Sequence, residues 1–110
     1  MMLNHLTIHE IHSGLKSRKF SSVDLTRSYF DQIKKHNGTL NSYVTLAEES
    51  AMKEATTADA HIKNNKEFSP LYGVPVGLKD VFSTDGIETT ACSNILKGFV
   101  PSYDATSVTK

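Results

Sequence analysis

The sequence contains no tryptophan, a single cysteine and only three prolines in 110 residues. One thiol, Cys92, excludes an intramolecular disulfide and agrees with a reducing compartment. Charge of one sign is also missing: twelve Lys and Arg balance twelve Asp and Glu, for a formal net charge of zero. No global basic field therefore draws the chain to nucleic acid or to a membrane surface. No run approaches the ~20 apolar residues that a membrane-spanning helix requires. The opening MMLNHLTIHE lacks a basic n-region and an apolar h-region, so it does not read as a secretory signal. Its two methionines leave the start ambiguous by one residue. Repeats, low-complexity tracts and linkers are absent, and 110 residues suffice for one small domain and not two. The expectation is a cytoplasmic chain, with an organellar version as the alternative.

What is present begins with three helical patterns. Thr7 to Ser17 reads as a short helix capped by Thr7, with Glu10 where a capping box places its acid and Ile8, Ile11 and Leu15 as a stripe. His5, His9 and His12 lie at spacings of four and three, but no further ligands complete a metal site, so they read as a solvated face. A second helix starts at Ser21 or Ser22 with Asp24 in its first turn, and its apolar face is Val23, Thr26, Phe30 and Ile33, widened by Leu25 and Tyr29. His36-Asn37-Gly38 is read as its stop, which makes Lys34, Lys35 and His36 last-turn cations and not a phosphate contact. A third helix covers about Ala47 to Asn64, with Ala47, Ala51, Ala55, Ala58 and Ile62 on one face and Glu49 four residues before Lys53. Alanine buries little area, which suits a helix on the outside of a larger body.

Extended segments are expected between and after these helices. Asn41 to Leu46 alternates like a short strand. Asn64 to Pro70, NNKEFSP, is a polar connection. It leads to Leu71–Asp80, LYGVPVGLKD, where Val74, Val76 and Leu78 are apolar at every second position. Gly73 and Gly77 allow close backbone approach, and Pro75 removes one ladder donor, so this strand must tolerate an edge or irregular place. Thr84-Asp85-Gly86 is a turn signal, and Ile87 to Ser93 is extended. Asn94 to Gly98 is a helical turn ended by Gly98, and Asp104 reads as the N-cap of a helix beginning at Ala105.

The candidate catalytic residue is Lys79, at the end of the central apolar segment. A lysine drawn into a core loses charge, because desolvation lowers its pKa from a reference near ~10.4 and turns it into a usable general base. The plain alternative is a surface lysine, solvated or paired with Asp80. Cys92 and Ser93 are tempting nucleophiles, but no histidine shares their motif, and they read as packing or hydrogen-bonding residues.

These residues carry a resemblance. LYGVPVGLKD followed by STDGIETTACSNILKGFVPSYDATSV resembles the first block of the amidase signature family, through Gly73-x-Pro75, Lys79-Asp80, Thr84, Gly86, Thr89-Thr90, Ser93, Phe99-Val100-Pro101 and Tyr103-Asp104-Ala105-Thr106. Ala91-Cys92 stands where the family commonly has Cys-Ala, a small departure that touches local packing. Within the family the pattern is most similar to the A-subunit branch of the glutamyl-tRNA(Gln) amidotransferases. The resemblance implies an α/β fold, a mixed sheet covered by helices, of which residues 1–110 would be the N-terminal portion of a single domain. It also implies a serine–cis-serine–lysine triad in which Lys79 is the base. The Gly/Ser-rich segment that carries both serines matches nothing in this sequence, so the chain alone is expected to be inactive and not autonomous in folding.

For the branch it most resembles, the implied substrate is glutamine, hydrolysed to supply ammonia. The implied partners are B and C subunits and, through the complex, Glu-tRNA(Gln), with no membrane. ATP and magnesium would be used by the B subunit, and no cofactor or metal is expected on this segment. Two alternatives stay open: another amidase-signature hydrolase of small or lipid amides, and a truncated, non-catalytic interaction polypeptide.

Overall fold

The computed structural model describes residues 2–65 and 67–110. They divide into two compact units, Met1–Asn41 with Glu48–Pro75, and Ser42–Ala47 with Val76–Lys110.

The first unit is helical. A 3-10 turn at Leu3–His5 precedes α1 (Ile8–Lys16), α2 (Ser22–Leu40) and α3 (Glu48–Asn64). Thr7 and Ser21 each build a full capping box, with Glu10 and Asp24 at the reciprocal position, so the starts of α1 and α2 agree with the sequence reading. The carboxyls of Glu10 and Asp24 are held below the usual carboxylate range, foremost by the backbone N–H of Thr7 and of Ser21. Asp59 of α3 adds a second brace at the N-terminus of α2, accepting from the N–H of Ser22 at 2.6 Å and of Val23 at 3.1 Å. That satisfies helix-end donors which the Ser21 hydroxyl alone cannot serve.

Ile11, Leu15, Leu25 and Ile62 form the core, and Leu3, Leu6, Phe20, Tyr29, Phe68, Tyr72 and Val74 pack around it. Burying side chains of this size stabilises the unit by roughly 1.5–3 kcal/mol apiece. The stripe expected on α1 is corrected at one position: Ile8 is 49% exposed. On α3 the buried positions are Ala55, Ala58 and Ile62, the C-terminal half of the predicted alanine face. Phe68 and Tyr72 enter this packing from the segment after α3. The connection that reads as merely polar thus carries an aromatic anchor, while its Lys66 lies outside the described residues. His12 is also less solvated than expected: its ring packs edge-on against Phe68 at 4.9 Å, and Nε2 lies 3.2 Å from the Phe68 carbonyl. Gly73 has φ +80°, and a Cβ there would meet Leu15, Ser22 and Ile62, so the turn into the core requires glycine. Its carbonyl accepts from the Ser22 hydroxyl at 2.6 Å.

The C-terminal boundary of α2 moves. α2 runs through Gly38 to Leu40 and ends where Asn41 takes the left-handed conformation, φ 51° and ψ 39°. Asparagine tolerates that region as a helix cap, so the stop falls beyond the Asn-Gly signal. Lys34 and Lys35 are then no longer in the last turn, and Lys34 pairs with Glu48 at 2.8 Å. The ion pair expected between Glu49 and Lys53 is not formed among the described residues.

The second unit holds a 3-10 turn at Asn94–Leu96 and a short α4 (Thr106–Thr109). The sequence predicts strands over 41–46 and through Val74–Leu78, with an extended run from Ile87 to Ser93. Among the described residues none of these enters a ladder, and the one bridge, Thr84 to Ile87, closes a turn. The reason is physical: alternation sets which side chains share a face, but a strand exists only against a partner edge. Part of the pairing pattern is nonetheless in place. Ala105 N–H donates to Ser83 C=O at 2.7 Å, Gly86 to Pro101 at 2.9 Å and Thr89 to Phe99 at 3.0 Å, so segments 83–89 and 99–105 run antiparallel. The Asp85-Gly86 turn forms as predicted, with φ +75° at Gly86 only and Ile87 N–H bonded to Thr84 C=O, the pattern of a type II turn. Gly98, at φ +86°, follows the 3-10 turn as expected. Asp104 does not cap α4. Its carboxylate instead accepts from the Asp85 N–H at 2.8 Å, tying the turn to the 102–105 segment.

Candidate functional site

Lys79 and Asp80 lie at the start of a turn in the second unit, with Phe82 N–H donating to Lys79 C=O at 3.1 Å. Lys79 is exposed, and among the described residues its ammonium makes no hydrogen bond or ion pair. The alternative of a Lys79–Asp80 pair is ruled out by where the carboxylate points. Asp80 faces the 89–93 loop: Oδ1 accepts from Thr90 N–H at 2.8 Å, and Oδ2 accepts from the Thr90 hydroxyl and from Cys92 N–H at 3.3 Å. The Asp80 carbonyl takes the N–H of Ala91 at 2.7 Å. These donors, led by the Thr90 hydroxyl and then the Thr90 N–H, hold the Asp80 carboxyl below the usual carboxylate range.

The loop is shaped for that carboxylate. Ala91 and Cys92 sit at φ 50° and 57°, consecutive left-handed residues with side chains. Each such residue costs roughly 1–2 kcal/mol, and the turn they make brings the N–H groups of Thr90 and Cys92 toward one point, a concavity that takes an anion. Here Asp80 is the anion. Thr90 is buried and Asp80 half-buried, so water competes poorly for these bonds. Thr89 is buried beside it, and Ser93 caps the following 3-10 turn by accepting from Ile95 N–H at 3.3 Å. Cys92 contributes its backbone N–H while its thiol is exposed. Gly77, two residues before Lys79, admits Tyr43: a Cβ there would lie 3.2 Å from the Tyr43 hydroxyl oxygen.

The sequence points to Lys79 and gives no role to Asp80 or Thr90. The signal available is the adjacency of Lys79 to a carboxylate and the Thr-Thr pair ten residues on. A carboxylate beside a candidate base is easily taken for its ion partner, when here it is the anchor of a loop. Among the described residues no group of three or more His, Cys, Asp or Glu could hold a metal ion, and no helix is long and apolar enough to cross a membrane.

A lysine set on a backbone locked by a carboxylate–threonine clasp defines the class of site: one side chain presented from a fixed base, within a chain of helical N-terminal order. The sequence profile of the family described as Amidase matches residues 24–110, and the chain belongs to that family. It is 48% identical over 110 residues to the A subunit of the glutamyl-tRNA(Gln) amidotransferase of Geobacter sp. (strain M21), covering 100% of this chain and 22% of that protein. The corresponding A subunit of Ehrlichia chaffeensis is 47% identical over 106 residues, 96% of this chain and 21% of the relative. That of Wolbachia sp. subsp. Drosophila simulans is 46% identical over 106 residues, 94% and 21% respectively. The chain thus spans about a fifth of the length of the curated relatives it matches.

Proposed function

We propose that this chain is the N-terminal portion of the amidase domain of a glutaminase, the A subunit of a glutamyl-tRNA(Gln) amidotransferase, and that Lys79 is its general base. The observation that supports this best is end-to-end similarity, 48% over the whole chain, to a relative of that name, together with a lysine whose backbone is pinned where the family motif requires a base. In this reading Lys79, neutral in the assembled domain, takes a proton through a cis-serine from a nucleophilic serine. Both serines belong to a Gly/Ser-rich segment that these 110 residues do not contain. The serine attacks the glutamine side-chain amide, ammonia leaves, and water clears the glutamyl ester.

The ammonia passes to a B subunit, which uses ATP and magnesium to convert Glu-tRNA(Gln) to Gln-tRNA(Gln), and a small C subunit joins the two. The setting is the cytoplasm. The antiparallel segments 83–89 and 99–105 supply edges for a mixed sheet completed by later strands, and burial of Lys79 in that body would provide the desolvation its role needs. The isolated chain has no amidase activity, since the nucleophile is elsewhere.

The test is ammonia release from glutamine by the full-length protein in complex with its partners. Lys79→Ala and Lys79→Arg each abolish turnover, because neither side chain can accept the proton at working pH. Wild-type turnover in either variant removes Lys79 from the base role.

A further inference from the structure

We infer that Asp80 is the positioning residue of the site: it fixes the backbone from which Lys79 is presented, acting through the Thr90 clasp and never through contact with the Lys79 ammonium. The inference rests on the reading of Lys79 as the base and extends it to a residue with a different task.

Three features lead to it. Five hydrogen bonds converge on residues 79 and 80, two on their peptide carbonyls (Phe82 N–H to Lys79, Ala91 N–H to Asp80) and three on the Asp80 carboxylate. The loop that donates them holds two left-handed non-glycine residues, Ala91 and Cys92, a conformation that persists only where the surroundings over-determine it. The Lys79 side chain, by contrast, is unrestrained among the described residues. The chain therefore invests its polar contacts in where the lysine begins and leaves its tip to meet other groups.

The pattern of acceptors makes the claim testable. Oδ1 and Oδ2 each accept, and the residue serves a hydroxyl and two backbone N–H groups at once. Asp80→Asn keeps size and shape but leaves one oxygen. Its amide N–H₂ then faces a donor, so half the clasp opens. Thr90→Val, of the same shape, removes the hydroxyl that both donates to Asp80 and accepts from Cys92 N–H at 3.1 Å. Thr90→Ser keeps that hydroxyl. Misplacing a catalytic group by about 1 Å costs on the order of 100-fold in rate.

The experiment is steady-state glutamine hydrolysis by the full-length protein in complex with its partners, with the four variants Lys79→Ala, Asp80→Asn, Thr90→Val and Thr90→Ser. The expected result is a fall in kcat of about 10- to 100-fold for Asp80→Asn and a smaller fall for Thr90→Val, with KM unchanged, since the base and not the substrate cradle is displaced. Thr90→Ser recovers most of the rate. Should Asp80→Asn fail to fold, Thr90→Val and Thr90→Ser carry the test by themselves. Wild-type kcat in soluble Asp80→Asn or Thr90→Val, with Lys79→Ala inactive, overturns the positioning role and spares the base. A shift in KM alone, or equal loss in Thr90→Ser and Thr90→Val, overturns it too. Turnover retained in Lys79→Ala instead removes the base assignment, and the positioning role falls with it.

Discussion

The helical unit buries Ile11, Leu15, Leu25, Phe30 and Ile62, whereas Val76–Lys110 of the second unit buries only Thr89, Thr90 and Pro101 among the described residues. Val76, Leu78, Val81, Phe82, Ile95, Phe99 and Val100 all remain exposed. The first unit is therefore held by apolar packing under well-capped helices. The second is held by turns and by backbone N–H groups bonded to the carboxylates of Asp80, Glu88 and Asp104. Hydrophobic burial is non-directional and tolerates small displacements, while a clasp of charged hydrogen bonds fixes atoms at short distances. The contrast assigns the tasks: the helices supply stability, and the poorly buried part carries the geometry of the candidate site.

The comparison breaks most readily at the cores. Leu25 is fully buried, and Leu25→Ala should cost about 2–5 kcal/mol. Ile95 is 92% exposed, and Ile95→Ala should stay within about 0.5 kcal/mol. Urea unfolding of the full-length protein followed by circular dichroism measures both. Equal effects would mean that the two units share one mode of stabilisation. A smaller effect, about 1 kcal/mol, is expected for Ser21→Ala, which removes the hydroxyl bonded to Asp24 N–H at 3.0 Å. Because Asp59 also serves the first turn of α2, the loss should stay well below the upper end of capping costs, and Asp59→Ala in the same background should deepen it. An Asp59→Ala effect that is no larger with Ser21→Ala than without would show the braces to be independent.

The fold was legible wherever a rule acts within a few residues. Thr7 with Glu10, and Ser21 with Asp24, announce helix starts because a capping box is complete in four residues, and the Asp85-Gly86 turn needs only its own backbone. Asn41 is harder to read because asparagine as a left-handed cap is less distinctive than the Asn-Gly pair upstream, which α2 simply passes through. The strands fail for a different reason. Val74, Val76 and Leu78 have strand periodicity, yet periodicity carries no information about whether a partner edge is present. For the candidate site, a family pattern points to Lys79, but the contacts of Asp80 depend on Thr90, Ala91 and Cys92 bending back upon it. That contact is set by two left-handed residues which no simple propensity assigns to alanine and cysteine.

The smallest effect expected is a difference in how the two units respond to acid. Glu10, Asp24 and Asp80 are all held below the usual carboxylate range by hydrogen bonds to the ionised form. A carboxyl with a lowered folded pKa contributes stability that is complete above its unfolded value, near about 4, and is lost as pH falls through the lowered folded value. All three should therefore weaken their surroundings on acidification and none on moving to alkali. In the helical unit the loss touches helix ends whose body is packed by Leu15, Leu25 and Ile62, so interior amides of α1 to α3 keep their protection. In the second unit the same proton removes an acceptor for Thr90 and Cys92, and among the described residues it has no comparable apolar core. Amide exchange followed from neutrality into acid should show Thr90 and Cys92 losing protection before Leu15 and Leu25. The reverse order would mean that the 89–93 loop stands without its carboxylate, leaving the left-handed turn at Ala91 and Cys92 in need of another cause.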